Sequence, residues 1–207
     1  MSVTAQPAAA PGASCTVPLF PLSTVLFPGG PLRLRIFEPR YIDMIGACMR
    51  TQQPFGVVLI RAGSEVGAGA AQTLCGVGTT ARVIDFNALP DGLLGISCTG
   101  ERKFALQRHW QQEDGLNIGE VEYAAAEQPA PLPSQCAHLA LLLRKLLPEL
   151  GELYASIPER FEDASWVGLR LAEILPISLT QKQACLEVHD AIERIERLNQ
   201  LIRRVDE

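Results

Sequence analysis

The period of the hydrophobic pattern changes once along this chain, and that change limits the folds open to it. Up to about Tyr123 apolar and polar residues alternate one by one between glycines, the pattern of half-buried strands. After Ser134 leucines recur every three to four residues, the pattern of amphipathic helices. Between the two, Pro129, Pro131 and Pro133 form a stiff connector that continues neither a sheet nor a helix, because each proline lacks a backbone donor. Such a chain is α+β, with strands and helices segregated. The division predicts a disordered tail over residues 1–15, a β section over 16–123, the connector over 124–134 and a helical section over 135–207.

Within the β section, Leu32, Leu34 and Ile36 alternate with Arg33 and Arg35, giving one apolar and one basic face. Residues 55–60 are a continuous apolar run and read as a strand buried on both faces. A long stretch over 73–86 carries glycines that suggest bulges or a tightly curved wall. Asp91-Gly92 and Asp114-Gly115 are turn dipeptides, and between them residues 93–98 and 103–106 are expected to pair as strands. One helix interrupts this section: Pro39 suits its first turn, and Tyr41, Ile42, Ile45, Cys48 and Met49 fall on one side.

In the helical section Ser134 is placed as an N-cap, followed by a leucine stripe at 139, 142, 143, 146, 147 and 150 that ends before Gly151. A short helix over about 164–175 precedes Pro176. Ser178 with Gln181 forms a capping box that opens a final helix, expected to run almost to the C-terminus with Val188, Ile192, Ile195, Leu198 and Ile202 on one face. Asp190 with Arg194 and Glu193 with Arg197 are expected as solvent-side ion pairs.

Charge enters as an exclusion. The 207 residues carry 18 basic and 23 acidic groups, and the β section is nearly neutral while the helices hold most of the −5. A dedicated duplex-DNA binder needs a clustered basic surface, so that class is disfavoured. No apolar run reaches the roughly 20 residues that span a bilayer, and the uncharged tail lacks the basic and apolar regions of a signal peptide, so the expected location is the cytoplasm. The six cysteines lie at least 23 positions apart, which leaves no Cys-x-x-Cys pair for zinc or thiol redox chemistry, and they read as buried thiols. The P-loop, the Gly-x-Ser-x-Gly elbow and the His-Glu-x-x-His motif are all missing. No metal, cofactor or catalytic residue is expected.

Two segments concentrate functional side chains. Phe37-Glu38-Pro39-Arg40-Tyr41 has a structural reading, with Glu38 capping a helix, Tyr41 in the core and Arg40 paired with a carboxylate. Its functional reading places Arg40 and Tyr41 in a groove that holds a peptide. Gly100-Glu101-Arg102-Lys103-Phe104 invites the same two readings. The candidate ligand-binding residues are therefore Phe37, Arg40, Tyr41 and Arg102.

Pro18-Leu19-Phe20-Pro21-Leu22, Val25-Leu26-Phe27-Pro28-Gly29, Ile36-Phe37-Glu38-Pro39-Arg40-Tyr41 and the run from Pro54 to Ile60 resemble the opening of the Lon protease N-terminal substrate-binding domain. The run from Gly76 to Val83, Leu89-Pro90-Asp91-Gly92 and Gly100-Glu101-Arg102-Lys103-Phe104 are similar to its later signatures, in the same order. More weakly, Leu146-Leu147 and residues 169–179 look like its helical subdomain. The resemblance implies a curved, PUA-like β-barrel with one inserted helix, followed by an α-helical bundle ending in a long C-terminal helix. It assigns no catalytic residue. The chain ends at Glu207 without the family's ATPase and peptidase modules, so the expectation is a stand-alone, non-catalytic module.

That module is expected to bind unfolded or partner polypeptides through an apolar groove where barrel meets helices. The alternative is RNA binding through Arg33, Arg35 and Arg40 on the barrel. A third reading is a cysteine enzyme using Cys136 with His138 or Cys185 with His189. The apolar stripe of the last helix suits an internal bundle or a homo-oligomer seam equally.

Overall fold

The computed structural model describes residues 14–63, 72–90 and 93–203. Six strands come first, β1 (Ser14–Leu22), β2 (Pro31–Ile36), β3 (Phe55–Ala62), β4 (Thr73–Ala88), β5 (Leu94–Gln111) and β6 (Asn117–Tyr123), with α1 (Pro39–Thr51) between β2 and β3. The helices α2 (Ala137–Leu146), α3 (Glu152–Ala155), α4 (Ala164–Ile174), α5 (Leu179–Glu187) and α6 (Ala191–Arg203) follow. The sheet order is β2-β5-β4-β3-β1-β6, and β6 also pairs with β5. Five strands thus close into a ring, and β2 lies outside it as an edge. All pairings are antiparallel except β1 with β3. The crossover between those two parallel strands passes through β2 and α1.

Several local expectations change here. β1 takes in Ser14 and Cys15, paired with Glu122 and Val121, although a tail was expected to run through both. Residues 93–98 and 103–106 do not pair with each other. Residues 94–98 and 103–106 are parts of one 18-residue strand, β5, which pairs first with β2 and then with β6. The bend between the halves sits at Gly100, where a Cβ would collide with the Phe27 backbone oxygen. There the Gly29 amide donates to the Gly100 oxygen at 2.7 Å and the Gly100 amide to the Gly30 oxygen at 2.8 Å, which pins the β1–β2 loop across the sheet. β4 bends in step, with register shifts between Thr79 and Ala81 and between Val83 and Asp85. Gly115 takes a φ of 81° in the β5–β6 turn, while Asp91-Gly92, Gly67 and Gly69 lie outside the described residues. On α1 the buried stripe is Tyr41, Met44, Ile45 and Cys48; Ile42 and Met49 sit at its exposed margin.

The helical half departs further. Ser134 does not cap α2: a 3-10 turn at Ser134–Cys136 precedes it, and Pro148 ends the stripe in a second 3-10 turn at Leu147–Leu150. The Ser178–Gln181 capping box is formed, but the long final helix is two helices. The break falls at Val188, His189 and Asp190, and Asp190 caps α6 through bonds from the Ile192 and Glu193 amides at 2.7 and 3.1 Å. Arg194 does not pair with Asp190 at the surface. It is fully buried, and it donates to the Cys185 oxygen at 2.8 Å and the Val188 oxygen at 2.6 Å. Lys103 of β5 adds bonds to the Leu186 and Val188 oxygens at 3.2 and 2.8 Å. Two buried cations therefore take the carbonyls that a continued helix would have used. Glu127 of the connector neutralises both, at 3.0 Å from Lys103 and in a two-oxygen contact with Arg194. Ser165 of α4 donates to the same carboxylate at 2.6 Å. The surface pair of Glu193 and Arg197 is present at 2.7 Å.

A second charged joint ties the β1–β2 loop to α4. Fully buried Arg170 donates to the Pro28 oxygen at 2.9 Å and lies 3.2 Å from Glu173, and Lys182 donates to the Glu173 backbone oxygen at 2.6 Å. Burial pushes the Glu173 carboxyl up to about 7, against the pull of Arg170, Tyr154 and Lys182. A carboxyl raised in the folded state stabilises when protonated, so its contribution is full below about 4.5 and is lost as pH rises towards 7. Replacing Glu173 with glutamine is expected to flatten the urea midpoint between pH 5 and 7.5, where the unmodified protein loses stability. A wild-type midpoint that rises across that interval would contradict the assignment.

Candidate functional site

β4 and β5 outrun the ring, and their outer halves join β2 in a three-stranded arm. Its registers run Leu34 to Ile96 to Phe86 and Arg33 to Ser97 to Asp85. Side chains in such rows share a face, so the arm has two. One face presents Leu32, Leu34, Ile36, Ile96 and Cys98 to Tyr41, Met44, Ile45 and Cys48 of α1, all in one apolar cluster. The other carries Arg33, Arg35, Ser97, Asp85 and Asn87, and it lines an open groove of about 1000 Å³. Gly95 forms the groove floor because Leu89 folds over it: a Cβ there would lie 3.1 Å from the Leu89 side chain.

Large apolar side chains rim the arm. Phe37, just beyond β2, is 51% exposed; Ile84, at the β4 register shift, is 59% exposed, and Phe86 56%. Ile42 and Met49, two turns apart on α1, are also exposed. Sequence reasoning had found Phe37 and the two groove arginines, but it missed Ile84, Asp85, Phe86 and Asn87. The available signal was an alternation that continues past the point where ring pairing ends.

The four sequence candidates do not come together. Arg40 is 9% exposed, bonds to the Gly115 oxygen at 3.0 Å and pairs with Glu38 at 2.6 Å, fastening α1 to the β5–β6 turn. Tyr41 is 3% exposed and stacks on Phe20 with ring centres 3.9 Å apart. Arg102 lies eight positions along β5 from Leu94, on the ring wall, with its guanidinium 4.2 Å above the Tyr123 ring. Of the four, only Phe37 is exposed next to the arm, while Tyr41 packs beneath it in the apolar cluster.

Where the barrel meets the helices, the described residues share an apolar core. Val25, Phe27, Leu59 and Cys75 from the barrel side form one buried cluster there with Leu139, Leu143, Leu171 and Ile195 from the helices. The two cysteine–histidine pairs sit in the helical half. Cys136 is buried and His138 faces Asn199 at 3.1 Å, while His189 lies in the exposed break after α5. Burial pushes the Cys136 and Cys185 thiols up, away from the thiolate that nucleophilic catalysis requires. Among the described residues no three His, Cys, Asp or Glu side chains stand close enough to hold a metal ion, and no helix is long and apolar enough to cross a membrane.

A family model described as the ATP-dependent protease La (LON) substrate-binding domain matches residues 16–204. The chain belongs to this family. Lon protease 2 of Myxococcus xanthus is 27% identical over 195 residues, covering 91% of this chain and 23% of its own length. Lon protease of Anaeromyxobacter dehalogenans is 28% identical with the same coverage. The chain thus spans about a quarter of these relatives, and the similarity is to the substrate-binding domain of Lon, not to its peptidase domain. A solved Lon N-terminal domain protein from Xanthomonas campestris is 35% identical, with a TM-score of 0.76, covering 90% of this chain and 98% of that one. The N-terminal domain of Mycobacterium avium complex Lon, at 17% identity and a TM-score of 0.58, shares the fold.

Proposed function

We propose that this Lon-type domain is a non-catalytic module that binds unfolded or partner polypeptides, and that the binding surface is the three-stranded arm. The observation that carries the reading is the exposure of Phe37, Ile84 and Phe86 on or next to the arm whose polar face lines the open groove, in a chain of the substrate-binding family. Exposed apolar side chains in a soluble domain cost solubility, and their clustering on one part of the fold marks an interaction surface. Phe37, Ile84 and Phe86 supply apolar contact. Arg40 and Tyr41 act beneath them by holding α1 against the sheet. Affinity for any one segment is modest, because a disordered ligand loses conformational entropy on binding.

The test is retention of a reduced, carboxymethylated model protein on the immobilised domain, with the Ile84→Ser/Phe86→Ser variant beside it. The double variant is expected to bind about tenfold more weakly, each lost apolar contact contributing roughly 1 kcal/mol or less. Its melting temperature should match the unsubstituted domain, since both side chains are exposed. Failure of the unsubstituted domain to retain any unfolded protein would sink the proposal.

A further inference from the structure

We infer that the open edge of β2 takes up an extended peptide as an added strand, and that the preferred segment alternates acidic with apolar residues. This rests on the polypeptide-binding reading and gives it a geometry and a ligand class.

β2 ends the sheet order, and among the described residues no strand pairs with its outer edge. Its six pairs with β5 run without a register shift, and its only proline is its first residue. The devices that usually blunt an edge, a bulge or a proline within the strand, are therefore missing, and alternate backbone N–H and C=O groups of residues 32–36 face outward as a template. What β2 does carry is charge. Arg33 and Arg35 are exposed on the groove face, while Leu32 and Leu34 are half-buried on the face that packs towards α1.

Charge selects the occupant. A second copy of β2 pairing antiparallel about Leu34 would set Arg33 opposite Arg35 twice on one face, and like charges directly opposed are unfavourable. A strand with carboxylates at those positions places each about 5 Å across from a guanidinium-bearing position. Asp85, the acidic residue in the Arg33 row, lies two strands away, at about 10 Å. For Arg33 the incoming carboxylate is the nearer partner, and one oxygen of Asp85 already accepts from the Phe86 amide at 2.9 Å. The intervening residues of the segment point to the other face, beside Leu32 and Leu34, where apolar side chains extend the sheet's buried surface. Main-chain bonds then supply affinity and the alternation supplies selectivity, the logic of strand addition.

The experiment uses the full chain and labelled nine-residue peptides in which leucine and valine alternate with glutamate, or with lysine at the same positions. Fluorescence anisotropy is expected to give about tenfold tighter binding for the glutamate peptide. The Arg33→Glu/Arg35→Glu variant should reverse that order, with Arg33→Gln/Arg35→Gln between, provided both melt like the unsubstituted protein. Two further glutamate peptides, N-methylated on alternate sets of amides, separate strand addition from surface adsorption: one should bind like the parent and the other at least tenfold more weakly. Amide exchange should slow within residues 32–36. Equal binding of both methylated peptides, or protection elsewhere than β2, overturns the inference. Tighter binding by a competing single-stranded RNA overturns it in favour of nucleic acid. Retention of unfolded protein by the charge-reversed variant, with protection away from β2, overturns strand addition and leaves the broader proposal standing. Loss of all binding in the unsubstituted protein overturns both.

Discussion

Replacing Glu127 with alanine is expected to lower stability by about 3–5 kcal/mol, a large part of the 5–15 kcal/mol of an ordinary domain. The carboxylate stands between Lys103 of β5 and Arg194 of α6, whose side chains are almost wholly buried, and it accepts from Ser165 of α4. Its removal strands two cations where water does not reach, and that penalty exceeds the worth of the ion pairs themselves. Chemical denaturation at pH 7 measures it, and a loss under 1 kcal/mol would mean that water enters the joint. The same residue sets an acid limit. Burial alone would raise the Glu127 carboxyl, but the bonds from Arg194 and Ser165 and the charges of Arg194 and Lys103 outweigh it and hold the group at about 2. A depressed carboxyl contributes fully above its ordinary value near 4.5, and its contribution is lost as pH falls towards 2. The unsubstituted protein should weaken across that window, and the alanine variant should have no such loss from this site. Glu173 slopes the other way at higher pH, so the two joints are separable by titration.

Replacing Phe104 with alanine is expected to cost a similar 3–5 kcal/mol, for an unrelated reason. Phe104 is fully buried within the ring of strands, clustered with Val17, Leu19, Val58, Leu74 and Val121. Its ring occupies space left by two glycines: a Cβ on Gly56 would lie 3.1 Å from it, and one on Gly78 as close as 2.5 Å. Neither neighbour has a side chain to swing into the vacated volume, and a closed ring resists collapse, so the cavity remains. Phe104→Leu keeps most of that volume and should cost under about 1.5 kcal/mol. Urea midpoints with unchanged slopes check both; equal losses for leucine and alanine would mean that the aromatic shape, rather than the volume, is what the ring requires.

Much of this architecture was legible because it repeats over short distances. The alternation through Leu32, Leu34 and Ile36 and the run over 55–60 became β2 and β3 as read. Pro39 opens α1, and Ser178 with Gln181 caps α5. The family signatures were legible too, because residues such as Gly56, Gly78 and Gly100 are set by contacts that tolerate no Cβ. Arg194 was misread because helical spacing pairs it with Asp190, while its partner Glu127 lies 67 positions away. β5 was read as two strands because a bend at Gly100 resembles a turn until the loop that crosses it is known. The groove was expected where barrel meets helices, and there the described residues share an apolar cluster.

By itself, then, the sequence determined where strands give way to helices, since backbone hydrogen bonding imposes its period within a few residues. It determined the family as well. The tertiary structure alone decided that the last helix breaks, that Glu127 closes the joint, and that β2 is left outside the ring. Those outcomes depend on which buried charge finds a partner and which strand edge does not, and both are set by residues far apart in the chain.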